Sequence, residues 1–165
     1  MASKTLIVLR HAKSSWQTDE ADLRRPLSER GERDAVAAGV VLAEYPLDVV
    51  LASNATRVQQ TWSGAVDGGA QCADVRVSEL IYHAWPGELL TELHELDEAV
   101  HTALLIGHQP TLGDLITSLA KPSPLADRVS AKFPTSGLAV LTYRGAWKTL
   151  ASGKATLKRL EIPRG

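Results

Sequence analysis

Three short apolar runs, each stopping abruptly at polar residues, constrain this chain more than any other feature. Leu6-Ile7-Val8-Leu9 ends in Arg10-His11, and Leu47-Asp48-Val49-Val50-Leu51-Ala52 ends in Ser53-Asn54. Thr102-Ala103-Leu104-Leu105-Ile106 ends in Gly107-His108. Apolar runs this short, without strict alternation, read as strands buried on both faces, the pattern of a parallel sheet. In an open parallel sheet the carboxyl ends of such strands lie along one edge, where ligands bind.

The segments between the runs carry helical spacing. Ser28 is a good N-cap, with Glu29 and Glu32 in the first turn where the helix dipole favours acids. Val36, Val40 and Ala43 recur at helical spacing, which predicts that their face packs on the sheet, and Pro46 stops this helix. A second helix is expected from about Ala55 to Val66, with Val58, Trp62 and Ala65 on one face and Asp67-Gly68-Gly69 as its end. Ala73 to Val77 is a weaker strand. Pro86 opens a helix carrying Leu89, Leu90, Leu93 and Leu96. Another carries Leu112, Leu115, Ile116 and Leu119 and stops before Pro122.

Lys121 to Pro134, with Pro122, Pro124 and Pro134, reads as an irregular loop. Gly137 to Tyr143 is a fourth good strand, and the tail has room for one or two edge strands. Strands alternating with helices imply an α/β fold, a three-layer α/β/α sandwich whose mostly parallel central sheet has helices on both faces. With 165 residues and no linker or repeat, a single domain over residues 1–165 is expected.

Composition narrows the partners. The net charge is −1, so no bulk field draws nucleic acid or an anionic membrane, and anion recognition must come from a few placed cations. The one cysteine, Cys72, excludes an internal disulfide and a cysteine-based zinc site, and it reads as inert. No ligand spacing of the His-Glu-x-x-His kind occurs, so no metal and no cofactor are expected. The apolar run near the amino terminus is too short for a signal peptide, and no run of about 18 apolar residues occurs. A cytoplasmic protein is the expectation.

The strand ends supply the chemistry. They deliver Arg10 and His11, then Ser53 with Arg57 in the first turn of the next helix, then Gly107 and His108. Two arginines and two histidines would converge on one pocket beside a helix N-terminus. Arginine offers a planar fork of donors that matches phosphate oxygens, and a neutral imidazole can form a covalent intermediate. As bare cations the four would repel each other; a bound phosphate makes their clustering reasonable. His11 alone could equally be a structural histidine; its company makes it the candidate nucleophile. Arg24, Arg30 and Arg33 read as solvated, His94 and His101 as exposed, and His83 as a surface or packing residue. Trp16 and Trp85 fit a rim or plain packing equally well.

An ordered series of segments extends this reading: Leu9-Arg10-His11-Ala12-Lys13-Ser14-Ser15-Trp16, Arg25-Pro26-Leu27-Ser28-Glu29-Arg30-Gly31, Ser53-Asn54-Ala55-Thr56-Arg57, Glu79-Leu80-Ile81-Tyr82-His83-Ala84, Gly107-His108-Gln109-Pro110 and Phe133-Pro134-Thr135-Ser136-Gly137. Together they resemble the histidine phosphatase superfamily, and most closely its short SixA-like branch of phosphohistidine phosphatases. The superfamily's usual Arg-His-Gly has Ala12 in place of glycine here, a variant common in that branch.

The resemblance implies that His11 attacks phosphorus in line and that Arg10, Arg57 and His108 hold the equatorial oxygens. It implies a further phosphate contact at Arg25, and Glu79 at the position that protonates the leaving group in larger members. It implies metal-independent catalysis, the arginines supplying the positive charge. The segment from Glu79 to Thr102 is short, which leaves an open pocket and favours a phosphorylated protein carrying phosphohistidine as substrate. A small phosphomonoester is the alternative, mutase activity a remoter one, and a non-catalytic phospho-ligand binding module the rival from another class.

Overall fold

Ser3–Arg10 folds as strand β1, and Leu6, Ile7, Val8 and Leu9 are all buried because the strand lies inside the sheet with helices over both faces. The computed structural model describes residues 3–165, so Met1 and Ala2, which enter the expectation of a leaderless amino terminus, lie outside the described residues. The other two apolar runs form β2 (Val49–Ser53) and β4 (Thr102–Gly107), buried along their whole length. β3 (Val75–Ser78), β5 (Leu138–Arg144) and β6 (Thr156–Glu161) complete a six-stranded sheet in the order β3-β2-β4-β1-β5-β6.

β3, β2, β4 and β1 run parallel, whereas β5 is antiparallel to β1 and β6 antiparallel to β5. The register is what positions the site. Arg10 lies opposite Gly107, so β1 and β4 end level with each other. The His11 N–H donates to the Gly107 carbonyl at 3.1 Å, and the Arg10 N–H to the Gly137 carbonyl at 3.0 Å.

Alternate residues feed two cores. Leu6, Val8, Leu51 and Leu105 face the side covered by α3 (Pro86–His94), α4 (Thr111–Leu119) and α5 (Pro124–Ala131). Ile7, Leu9, Val50 and Ile106 face the side covered by α1 (Glu29–Leu42) and α2 (Thr56–Asp67). This is the α/β/α sandwich that the strand and helix pattern implies. Among the described residues no helix is long and apolar enough to cross a membrane.

Two expectations need correction. The buried face of α1 is Ala35, Ala38, Gly39 and Leu42, whereas Val36 is 38% and Val40 60% exposed and Ala43 is exposed. The reason is size. α1 lies so close to α2 that a Cβ on Gly39 would fall 2.0 Å from the Ala65 carbonyl oxygen, and one on Gly64 2.7 Å from the Ala35 Cβ. Valines in that seam would force the helices apart, so they face water.

The stretch Lys121–Pro134 is not irregular throughout, because α5 occupies its middle. Ser123 caps it by accepting from the Ala126 N–H at 3.1 Å, and Pro124 takes the first helical position, where its missing N–H costs nothing. Ala126 and Val129 bury its inner face.

The α1 seam makes a direct prediction. Gly39→Ala should destabilise the fold by about 1–3 kcal/mol through overpacking, although alanine is the better helix former. Val40→Lys, one residue on, should change stability by no more than about 0.5 kcal/mol. Denaturant unfolding of the two variants checks this; a Val40→Lys loss as large as that of Gly39→Ala would show the face to be wrong.

Candidate active site

His11 leaves the end of β1 and folds back into the protein with only 6% of its surface exposed. Its backbone is pinned on both sides: the N–H by Gly107, and the carbonyl by the Ser136 N–H at 3.1 Å. Its Nδ1 lies 2.7 Å from the Ala12 carbonyl oxygen, which can only accept, so Nδ1 carries the proton and Nε2 keeps the lone pair. Ala12 is held in turn by the Thr61 hydroxyl, which accepts its N–H at 2.9 Å and donates to the Arg57 carbonyl at 2.7 Å. The Ala12 methyl packs with Leu27 and Ala35 beneath the loop.

That loop is fixed from below by the first turn of α1. The Ser28 N–H donates to the Lys13 carbonyl at 2.9 Å, while the Ser28 hydroxyl caps the helix at Gly31. Gly31 has to be glycine, because a Cβ there would sit 2.0 Å from the Lys13 carbonyl oxygen. The segment Arg25–Gly31 thus shapes the chain just after His11.

His108 follows β4, and its ring centroid lies 5.3 Å from that of His11. An Arg57 Nη2 can only donate, so at 3.4 Å it meets a bare Nδ1, and the His108 Nε2–H donates to the Ser53 hydroxyl at 2.8 Å. All three strand ends therefore meet: β1 through His11, β4 through His108 and β2 through Ser53.

Burial, reinforced by His108, Arg57 and Arg10 nearby, pushes His11 down to about 3 against the raising effect of its bond to Ala12. Burial first and Arg57 next push His108 down to about 4. Both imidazoles are neutral at ordinary pH.

The arginines are held by their tips. Arg10 donates from Nη1 to the Phe133 carbonyl at 3.2 Å, and Arg57 donates from Nη1 to the Asp22 carbonyl at 2.7 Å and from Nη2 to Asp22 Oδ2 at 3.2 Å. The Nε–H of each is buried without an acceptor, as is the Ser136 hydroxyl. An unmet buried donor costs about 1–3 kcal/mol, more when charged, so these groups call for an anion. Ser136 reaches this position in the left-handed region, at φ 61°, a strain typical of functional loops.

The resulting cavity is about 240 Å³ and is lined by Arg10, His11, Arg25, Arg57, His108 and Thr135, with Lys13 and Trp16 exposed at its mouth. Arg25 is saturated on one side, donating to the Ser14 hydroxyl at 2.8 Å and to Asp22 Oδ1 at 3.2 Å. Its guanidinium stacks 3.5 Å from the Trp16 ring centroid.

The structure thus brings together Arg10, His11, Arg25, Arg57 and His108, and it leaves Glu79 apart. Glu79 is exposed at the start of the 3-10 turn Glu79–Ile81 and does not line the cavity. Tyr82, just beyond that turn, reaches the site instead. Its hydroxyl donates a short hydrogen bond to the Asp22 carboxylate, and its ring meets His108 edge-on at 5.4 Å. His83 is exposed and stacks on Tyr82, whereas Trp85 is exposed away from the lining. Sequence reasoning missed Asp22 and Tyr82; the only signal was the place of Asp22 three residues before Arg25.

A neutral, oriented imidazole beside desolvated guanidinium donors can bind a tetrahedral oxyanion and attack its centre. Fold and site together define a phosphoryl-transfer protein of the α/β class. The chain belongs to the histidine phosphatase superfamily: the model of that superfamily's branch 1 matches residues 6–154. It is a phosphatase by family.

An uncharacterized protein of Mycobacterium tuberculosis (strain ATCC 25618 / H37Rv) is 40% identical over 163 residues, covering 94% of this chain and 100% of its own. The solved structure of a "putative phosphohistidine phosphatase SixA" from Nakamurella multipartitia superposes with a TM-score of 0.88 at 31% identity, over 99% of this chain and 98% of its own. The fructose-2,6-bisphosphatase TIGAR of Bos taurus is 29% identical over 109 residues, 60% of this chain and 40% of its own.

The lowered imidazole values set the acid stability. In the unfolded chain both histidines titrate near 6.5, in the fold near 3 and 4, so in between the unfolded chain binds more protons. Their contribution is complete above about pH 6.5 and is lost as the pH falls towards those folded values. The melting temperature should therefore drop between about pH 7 and about pH 4, and less steeply in His11→Asn. Equal slopes in the two proteins would contradict the buried neutral imidazole.

Proposed function

We propose that this phosphatase removes the phosphoryl group from phosphohistidine on a protein, through a covalent phosphohistidine at His11. The observation that carries the reading is the tautomer of His11: with Nδ1 tied to the Ala12 carbonyl, Nε2 keeps its lone pair in a cavity that Arg10 and Arg57 also line.

Nε2 of His11 attacks phosphorus as the bond from phosphorus to the leaving imidazole nitrogen breaks. Arg10 and Arg57 hold two of the equatorial oxygens, where charge gathers in the transition state, and His108 holds the third by turning its Nε2–H to it from the Ser53 hydroxyl. Near neutrality the other ring nitrogen of the phosphohistidine takes a proton from solvent at the open mouth, so the P–N bond breaks to release a neutral imidazole, and Glu79 is given no step. Water then attacks the phosphorylated His11, releasing inorganic phosphate and restoring the neutral ring.

A protein substrate is favoured by shape. The cavity of about 240 Å³ is smaller than the roughly 300–1,000 Å³ of sites that engulf a whole small molecule. Between β3 and β4 the chain holds only the 3-10 turn and the nine-residue α3 beside its connecting loops. Such a site suits one side chain presented from outside. The likeness to the Nakamurella structure supports the same substrate class.

His11→Ala should lower turnover of an aryl phosphate by at least about a thousandfold, and Arg57→Ala by about a hundred- to a thousandfold. Brief reaction of the native enzyme, followed by mass spectrometry, should find one phosphoryl group on His11. Ordinary activity in His11→Ala would sink the mechanism. Rates on a phosphohistidine protein and on a metabolite panel decide the substrate: fast turnover of one metabolite beside negligible rates on the protein would overturn the preference.

A further inference from the structure

Asp22 occupies an unusual position for an acid, bonded to two arginines of a cavity built to attract anions. Among the described residues it is the one carboxylate ion-paired with the pocket's arginines. Oδ1 accepts from Arg25 Nε at 3.2 Å, while Oδ2 accepts from Arg57 Nη2 at 3.2 Å and from the Tyr82 hydroxyl. Its backbone carbonyl accepts from Arg57 Nη1 at 2.7 Å. Three distant segments, the loop at Asp22, α2 at Arg57 and the turn at Tyr82, are joined through this residue.

The first consequence is geometric. Both terminal nitrogens of Arg57 are engaged by Asp22, which leaves its buried Nε–H as the donor without a partner. Substrate therefore meets a guanidinium whose plane is already fixed.

The second consequence is electrostatic. Arg10, Lys13, Arg25 and Arg57 line the cavity with four positive charges, both histidines are neutral at ordinary pH, and Asp22, paired with two of the arginines, removes one charge, leaving a net +3. A phosphoryl group carries about −1.5 to −2 near neutrality. One phosphoryl group thus offsets most of that positive charge. The side chain of Asp22 is 53% exposed and paired with Arg25 and Arg57, so a second anionic group that approached those arginines would meet a carboxylate. Lys13 is exposed like Asp22, so solvent screens both charges more than those of the buried Arg25 and Arg57.

We propose that Asp22 is a specificity-determining residue: by fixing Arg57 and cancelling one guanidinium charge, it limits efficient turnover to phosphoryl groups carried on uncharged leaving groups, such as an imidazole. Substrates with a second anionic group are disfavoured. The proposal rests on the phosphohistidine reading above and sharpens it, because it gives a reason in the protein for rejecting anionic metabolites.

The test compares phenyl phosphate with 4-carboxyphenyl phosphate, which share a reacting group and differ by one distant charge, and uses N-phosphoimidazole as the reference substrate. The native enzyme should prefer phenyl phosphate in kcat/KM by on the order of tenfold, the effect of one unit charge across about 10 Å of partly screened protein. Asp22→Asn should erase that preference, chiefly through KM of the carboxylate substrate, while the loosened Arg57 lowers kcat on both substrates alike. Asp22→Glu, which keeps the charge, should keep the preference. The same preference in native enzyme and Asp22→Asn, or its loss in Asp22→Glu, would overturn the proposal. Turnover that survives His11→Ala, or a native enzyme idle on all three substrates, would instead overturn the underlying function.

Discussion

The pairing of β1 between β4 and β5 is the contact on which the site depends. Arg10 stands level with Gly107, so the residues that follow, His11 and His108, emerge side by side from two parallel strands. A shift of one residue would turn every side chain of β1 to the opposite face, moving Leu6 and Val8 between cores. The burial of Leu6–Leu9 on both faces therefore fixes the register, and the register fixes the distance between the two imidazoles. Each fully buried aliphatic side chain contributes about 1.5–3 kcal/mol, and this strand is the one the sheet can least afford to slide.

Fixed elements let the protein keep polar groups in a state they would otherwise leave. Arg10 and Arg57 hold one buried N–H each without an acceptor, and the guanidinium of Arg10 is pushed below its ordinary value by burial and by Arg57. In a flexible loop those side chains would turn outward to water. Here the Phe133 carbonyl holds one and Asp22 the other, so both guanidiniums stay at the pocket. The same burial keeps His11 unprotonated, which makes it a base with a free lone pair rather than another cation. Preorganisation and pKa depression are thus two results of one desolvated site.

The sequence was most legible where a single local rule decides the outcome. β1, β2 and β4 stand out because a strand covered on both faces has to be apolar throughout, and Arg10, His11, Ser53, Arg57 and His108 follow because parallel strand ends share an edge. It misled where side-chain size outweighs hydrophobicity. Val36 and Val40 have the right spacing for a core, but the seam between α1 and α2 admits only glycine and alanine. In α5 the prolines obscured a helix because Pro124 sits where proline starts a helix rather than breaks one.

The remaining gap is the acid of the site, and it has a physical cause. Asp22 touches Arg57 and Tyr82 across 35 and 60 residues of chain, and no periodicity or motif spacing encodes contacts of that kind. Glu79 drew attention through the family resemblance, at the position that protonates the leaving group in larger members, and not through the strand-end rule that located the two histidines. β3, however, is an edge strand, exposed along most of its length, and the chain leaves it by the turn Glu79–Ile81. That turn buries Ile81 in the core, and the next residue, the half-buried Tyr82, holds Asp22 instead of offering a carboxylate of its own. The Tyr82 hydroxyl, followed by Arg25 and Arg57, brings the Asp22 carboxyl down to about 2, so it keeps its charge and is a poor proton donor. The site therefore has a fixed negative charge but no acid near neutrality among its lining residues, an arrangement adequate for expelling an imidazole and ill suited to expelling an alkoxide.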